Sequence, residues 1–342
     1  MKPLRFALFG AGFWSRFQLS GWRELPGVEC VAAWNRTLSK AKALGVPAVY
    51  EDPEELLVRE KPDFVDIVTD VGSHAPLVRL AAKHRIPVIC QKPMAPSLGE
   101  AGSMLRDCLE TGTPFYVHEN WRWQAPIREL KKELDAGRIG SPFRARLTFS
   151  SSFPVFDNQP FLKTLPQFIL THVGSHVLDV VRFLFGEVES LACRTTRARK
   201  DISGEDVATV LLLMSCGMAV TVELSYASRL RQERFPETYI TIEGSSGSLE
   251  LGRDCLLHRT TGEGTWSRRC PPPRYWWADP AYDLVHASIV PCNANLLAAL
   301  RGEGAAETTG ADNFETVRLV FASYESARTG ELVRLSRFHP ED

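Results

Sequence analysis

Short apolar runs alternate with amphipathic stretches through the first 120 residues. "RFALFG" (5–10), "VECVAAWN" (28–35), "FVDIVTD" (64–70), "IPVICQ" (86–91) and "PFYVHE" (114–119) are rich in Val, Ile and Phe and read as strands. Between them, segments near 14–25, 38–44, 53–60, 74–84 and 97–111 carry helical spacing and good helix formers. Strand–helix alternation of this kind predicts a parallel sheet with helices on both faces.

Beyond residue 120 the pattern changes. A helix fits 125–140, stopped by Gly140 and Pro142, and an apolar helix fits "THVGSHVLDVVRFLFG" (171–186). Strand-like runs follow at 188–197, 205–214, 218–227, 238–243 and 248–252, with the Gly and Ser residues of "GSSGSLEL" supplying a hairpin turn. Helical stretches at 282–301 and 312–328 close the chain, and "CPPPRYWW" (270–277) reads as a surface loop. Neighbouring strands with helices before and after them predict an α+β domain with an antiparallel sheet. At 342 residues the chain exceeds one ordinary core. The expected division is 1–121 and 122–342.

Composition narrows the function classes. Apolar residues make up 44 % and charged residues 24 %, as in a soluble globular protein. A net charge of −1 supplies no field for nucleic acid or an anionic membrane, and no apolar run approaches the roughly 20 residues of a bilayer span. The N-terminal "MKPLRFALFGAGFW" runs from a short apolar stretch straight into glycines, unlike a signal peptide. Eight scattered cysteines form no C-x-x-C pair and read as reduced core residues. Neither nucleic acid nor membrane is an expected partner, and the expected location is the cytoplasm.

The first candidate chemistry lies in "FALFGAGFWS". It sets Gly10, Gly12, Phe13 and Trp14 between the first strand and a helix. Gly10 permits a tight turn, and Gly12 lets backbone approach a pyrophosphate at a helix N-terminus. Ser15 stands at the third position of the fingerprint, where Gly or Ala is usual. The second strand ends in Trp34-Asn35-Arg36, without the carboxylate that would bond the ribose hydroxyls of NAD. Arg36 could take a 2′-phosphate, which tilts the choice toward NADP over NAD. After the fifth strand, Gln91-Lys92-Pro93 falls at the carboxyl edge of the sheet, where ligands of such folds bind. A lysine there could move a proton to or from a substrate oxygen, given a depressed pKa.

The second lies in "THVGSHVLD". On a helix, His172, His176 and Asp179 share one face. They could be metal ligands, proton-transfer groups or polar residues on a core helix. A zinc-peptidase helix would read H-E-x-x-H, but residue 173 is Val and no further ligand announces itself, so no metal is expected. Asp179 reads as scaffold. Trp123, Trp276 and Trp277 offer ring faces on which a sugar could stack.

Taken together, these stretches resemble the glucose-fructose oxidoreductase/inositol dehydrogenase/rhizopine-catabolism (Gfo/Idh/MocA) family along the whole chain. "TDVGSH" (69–74) stands for its T-P-x-x-x-H, "QKP" for E-K-P, "NWRWQAP" for N-x-R-x-x-P, "GRIGSP" for G-x-I-G and "GSHVLD" for G-x-H-x-x-D. The resemblance implies a Rossmann domain followed by an α+β domain with a large open, mostly antiparallel sheet, through which such chains pair as homodimers or homotetramers. It implies oxidation or reduction of a sugar or polyol with NAD(H) or NADP(H). Lys92 and His176 would then handle the hydroxyl proton, with His172 beside them where many relatives carry aspartate. Thr69, Asp70, His74 and Gln91 would line the cofactor, and Asn120, Arg122 and Trp123 the substrate, together with His172 and His176. Stretches such as "FDNQPFL" and "EGSSGSLEL" are similar to a subgroup that includes D-apiose dehydrogenases. The competing reading is a dinucleotide sensor of the same fold that turns nothing over.

Overall fold

A computed structural model describes residues 2–231 and 234–338. By internal packing the chain divides into two units, 1–119 with 289–317 and 120–288 with 318–338. The contiguous division expected from sequence keeps 122–342 together, whereas by internal packing 289–317 groups with the first unit.

In the first unit, strands β1 (Leu4–Phe9), β2 (Val28–Trp34), β3 (Ala48–Tyr50), β4 (Phe64–Ile67), β5 (Val88–Gln91) and β6 (Phe115–His118) make one sheet. Its order is β3-β2-β1-β4-β5-β6 and every pairing is parallel, the doubly wound arrangement. The central strands β4 and β5 are buried along their whole length, which explains why they are mostly apolar, with Asp66 and Gln91 the polar exceptions. The connecting helices are α1 (Ser15–Arg23), α2 (Leu38–Lys42), α3 (Pro53–Glu60), α4 (His74–Lys83) and α5 (Leu98–Thr111). Strand β3 was absent from the sequence reading. At three half-buried residues on the sheet edge it is too short to show a period.

The second unit begins with α6 (Ala125–Asp135), which ends before the Gly140 stop because "AGRIG" turns. Then come β7 (Pro142–Ser150), α7 (Val155–Asn158), α8 (Ser175–Phe185), β8 (Val188–Thr196), β9 (Val207–Met214) and β10 (Ala219–Ser225). After these follow β11 (Tyr239–Gly244), β12 (Gly247–Leu251), β13 (Leu256–Thr261) and β14 (Gly264–Arg269). Helices α9 (Asp283–Leu300) and α10 (Gly310–Thr329) and the short β15 (Val333–Arg334) complete the chain. The nine-stranded sheet runs β14-β13-β12-β11-β7-β10-β9-β8-β15 and is antiparallel except where β10 pairs with β7. Inner-face residues such as Ala145, Leu147, Phe149, Val210 and Leu212 are buried, alternating with exposed residues on the outward face.

Residues 280–300 form one helix that by length and composition alone could cross a bilayer, although no apolar run of that length is evident in the sequence. More than half of it is buried inside the protein, and it carries buried His286, Ser288 and Asn293.

Candidate active site

In the first unit, Gly10 closes β1 with φ +107°, and a Cβ there would stand 2.3 Å from the Val68 carbonyl oxygen. Only glycine fits so close to β4. A Cβ on Gly12 would meet nothing within 4 Å, so this backbone is open to an approaching anion. Ser15 explains its own departure from the fingerprint: buried, it accepts the Gly12 N–H at 3.1 Å and donates to Val68 O at 3.3 Å. Phe13 and Trp14 pack on Phe17 of α1, with centroid separations of 5.4 and 6.1 Å. Asn35 Oδ1 accepts the Ala11 N–H at 3.0 Å, fixing the turn from the end of β2. Arg36 is exposed and pairs with Asp70 at 2.5 Å. Ser73 Oγ donates to Thr69 Oγ1 at 2.8 Å, closing the loop after β4.

His74 is buried, its Nδ1 3.2 Å from the carbonyl oxygens of Pro93 and Met94 and its Nε2 3.4 Å from Thr69 O. It ties the loop after β4 to the one after β5, and burial lowers its pKa. Gln91 ends β5 in the sheet interior. Lys92 follows, with a cis peptide bond to Pro93. Burial brings the Lys92 ammonium down to about 8, while the neighbouring Glu119 carboxylate acts to raise it. Because Gln91 pairs with His118 in register, the residue after each strand lies at the same edge, and these are Lys92 and Glu119. Nothing in the spacing of "VHEN" marks this carboxylate; its place just beyond β6, level with Lys92, does.

In the second unit, His176 of α8 stacks on Trp121, with centroids 4.4 Å apart and planes 3° from parallel. Stacking engages the faces of the imidazole, so its nitrogens act in the ring plane. Trp121 sits in the same N-W-R-W turn as Asn120, Arg122 and Trp123. Arg122 forms a buried two-pronged pair with Asp179, Nε to Oδ2 at 2.8 Å and Nη2 to Oδ1 at 2.5 Å. Asn120 donates to Val285 O at 3.1 Å and Ser288 Oγ at 2.9 Å. These bonds place Asn120, Arg122 and Asp179 as braces of the turn that carries Trp121. Trp123 lies under the Arg128 guanidinium at 4.3 Å. Trp276 is exposed, and Trp277 stacks on Tyr275.

His172 lies in a π-helical turn, Leu170–Gly174, that leads into α8. It stacks on Phe168 at 5.6 Å and on Tyr226 at 6.1 Å, so its aromatic neighbours differ from those of His176. Single π turns inside helices recur at functional sites. The turn is anchored by Glu205, whose carboxylate accepts the N–H groups of Phe168 and Leu170 at 3.1 and 3.3 Å and the Tyr324 hydroxyl at 2.6 Å. Among the described residues no three His, Cys, Asp or Glu side chains gather as a metal site requires.

Residues 4–119 match the oxidoreductase family with an NAD-binding Rossmann fold, and residues 127–250 match the Gfo/Idh/MocA C-terminal domain. The chain belongs to the Gfo/Idh/MocA oxidoreductases. It is 41 % identical over 345 residues to D-apiose dehydrogenase of Paraburkholderia graminis, covering 100 % of this chain and 92 % of that protein. It is 40 % identical to D-apiose dehydrogenase of Rhizobium rhizogenes, covering 97 % and 98 %. A solved oxidoreductase from Agrobacterium radiobacter, in complex with NAD+, L-tartaric acid and magnesium, is 39 % identical. It superposes with a TM-score of 0.96 over 98 % of this chain and 99 % of that one.

As a Gfo/Idh/MocA member the chain is an NAD(P)-dependent oxidoreductase. The first unit fits that cofactor: the Gly12 backbone is open where a pyrophosphate would approach, and no carboxylate opposes it in the first turn of α1.

Proposed function

We propose that this oxidoreductase converts a furanose-forming aldose, D-apiose being the first to test, into its lactone with NAD(P)+. The observation that carries this reading is identity at 40–41 % with two D-apiose dehydrogenases along essentially the full chain. Oxidation at C1 of a cyclic sugar breaks the C1–H bond with its electron pair and the O–H bond with loss of a proton, and leaves C1=O. A nicotinamide held in the first unit would supply the hydride acceptor, at C4. Lys92, in its neutral form, takes the hydroxyl proton. His176 hydrogen-bonds the substrate hydroxyl with its ring held against Trp121, and His172 supplies a further substrate contact. Gly10, Gly12 and Gln91 hold the dinucleotide.

Arg36 favours NADP, because an exposed ion pair with Asp70 is weak and yields to a 2′-phosphate. The same reading makes the chain a homodimer or homotetramer through the nine-stranded sheet. Its cytoplasmic placement is supported by eight cysteines that form no disulfide.

The test follows reduced-cofactor absorbance with purified protein against aldoses and polyols, with Lys92→Ala alongside. Turnover of a furanose-forming aldose is expected. Lys92→Ala should lower kcat by about 10³-fold while cofactor affinity stays within about twofold. Unchanged kcat in that variant would remove Lys92 from the chemistry. Tight cofactor binding with silence across the whole panel would favour the sensor reading.

A further inference from the structure

Inward from Gln91, the first unit buries polar side chains, Gln18 and Asp66, that the chemistry above does not use. Asp66 of β4 is wholly buried, and its Oδ2 accepts hydrogen bonds from Trp22 Nε1 at 2.6 Å and Gln18 Nε2 at 2.8 Å, both from α1. Gln18 Nε2 also donates to Asn293 Oδ1 of α9 at 3.2 Å. Two acceptors therefore take both hydrogens of the Gln18 amide, and Gln18 turns its carbonyl to what lies beyond. Beyond it is Gln91, whose Nε2 donates to Gln18 Oε1 at 3.4 Å.

The Asp66 oxygen that already takes two N–H bonds acts only as an acceptor, so it fixes the direction of each amide that follows it. Asp66 demands a donor from Gln18; Gln18 then demands a donor from residue 91. Glutamine can supply one and an ionised glutamate cannot. In a wholly buried site the mismatch leaves two acceptors face to face.

We infer that Asp66 and Gln18 are positioning residues for the cofactor. They orient the Gln91 amide so that its carbonyl oxygen is the end offered to the dinucleotide, and they make residue 91 glutamine instead of the glutamate of the E-K-P pattern. The outward polarity is conserved by this arrangement: carbonyl and carboxylate both present an acceptor to a ribose hydroxyl. The inference rests on the reading of Gln91 as a cofactor contact.

The experiment measures the Kd of NADH and NADPH for the full chain by fluorescence titration, with thermal unfolding confirming that each variant is folded. Gln91→Ala should weaken binding about 10-fold. Gln91→Glu should weaken it by a similar factor in the native background, where its carboxylate meets the Gln18 carbonyl. With Gln18→Lys, whose ammonium donates to both neighbours, adding Gln91→Glu should cost less than about twofold. With Gln18→Met, which removes the opposing carbonyl, it should cost less than about threefold. If one background fails to fold, the other decides. An equal Gln91→Glu penalty in every background overturns the inference while leaving Gln91 at the cofactor. No effect of Gln91→Ala overturns the assignment of Gln91 itself, and the inference with it.

Discussion

Lys92 carries the pH dependence of the proposed oxidation. Its pKa of about 8 is set by burial, which disfavours the ammonium, and is held up in part by Glu119. The neutral amine is the base, so below that value each pH unit should cost about tenfold in kcat/KM, with a plateau above. Glu119→Gln removes the anion that favours the ammonium. The rising limb should therefore move to lower pH, and the variant should exceed the parent when both are assayed at pH 6.5. A limb that stays in place would separate Glu119 from Lys92. At the other end of the site, Arg36→Ala should reduce kcat/KM with NADP about tenfold and leave NAD within about twofold, a selectivity read by assaying both cofactors. The positions of Gly10, Arg36 and Lys92 just beyond β1, β2 and β5 were legible because the apolar runs before them mark those strands. Glu119 and Trp121 were not singled out, because a lone carboxylate or indole carries no spacing signal; their importance comes from pairing with Lys92 and His176.

Among the elements, α8 with His176 and the π turn with His172 show what periodicity can and cannot convey. The apolar spacing over 171–186 marks a helix, and α8 is there. The π turn before it is invisible to spacing because long-range contacts accompany it. Glu205 anchors its start from a segment more than thirty residues away, and a Cβ on Gly174 would press on Leu224 of β10 at 3.2 Å. Similarly, β7 was missed because Arg144 and Arg146 alternate with its buried positions, and β14 because all six of its residues are exposed. Glu205→Gln keeps the shape but removes the charge beside the helix N-terminus and one of the acceptors serving Phe168, Leu170 and Tyr324. It should cost about 1–2 kcal/mol of stability. Because the turn carries His172, the KM for sugar should also rise. Denaturant unfolding and steady-state kinetics check the two effects, and loss of neither would make Glu205 incidental.

At the scale of the whole molecule, the nine-stranded sheet packs one face on α6 and α8 and leaves the other outward. Most of that outward face is polar, with Arg144 paired to Glu243 and Arg146 near Glu223. Strand β9 departs from this rule: Leu211 and Leu213 point outward at 54 % and 39 % exposure. Their register partners on the same face include Ala219 and Ala192, so small and apolar side chains adjoin one another across three strands. Leucines repeated on an outward face raise the free energy of an isolated chain, and covering them with a second copy would recover it. The proposed assembly through this sheet then makes a specific demand. Leu211→Glu with Leu213→Glu should shift the molar mass in light scattering after gel filtration from the oligomer to the monomer. The inward neighbours Val210 and Leu212 are unchanged by these substitutions, so the fold should persist in circular dichroism. A folded double variant that keeps the parental mass would remove this face from the interface.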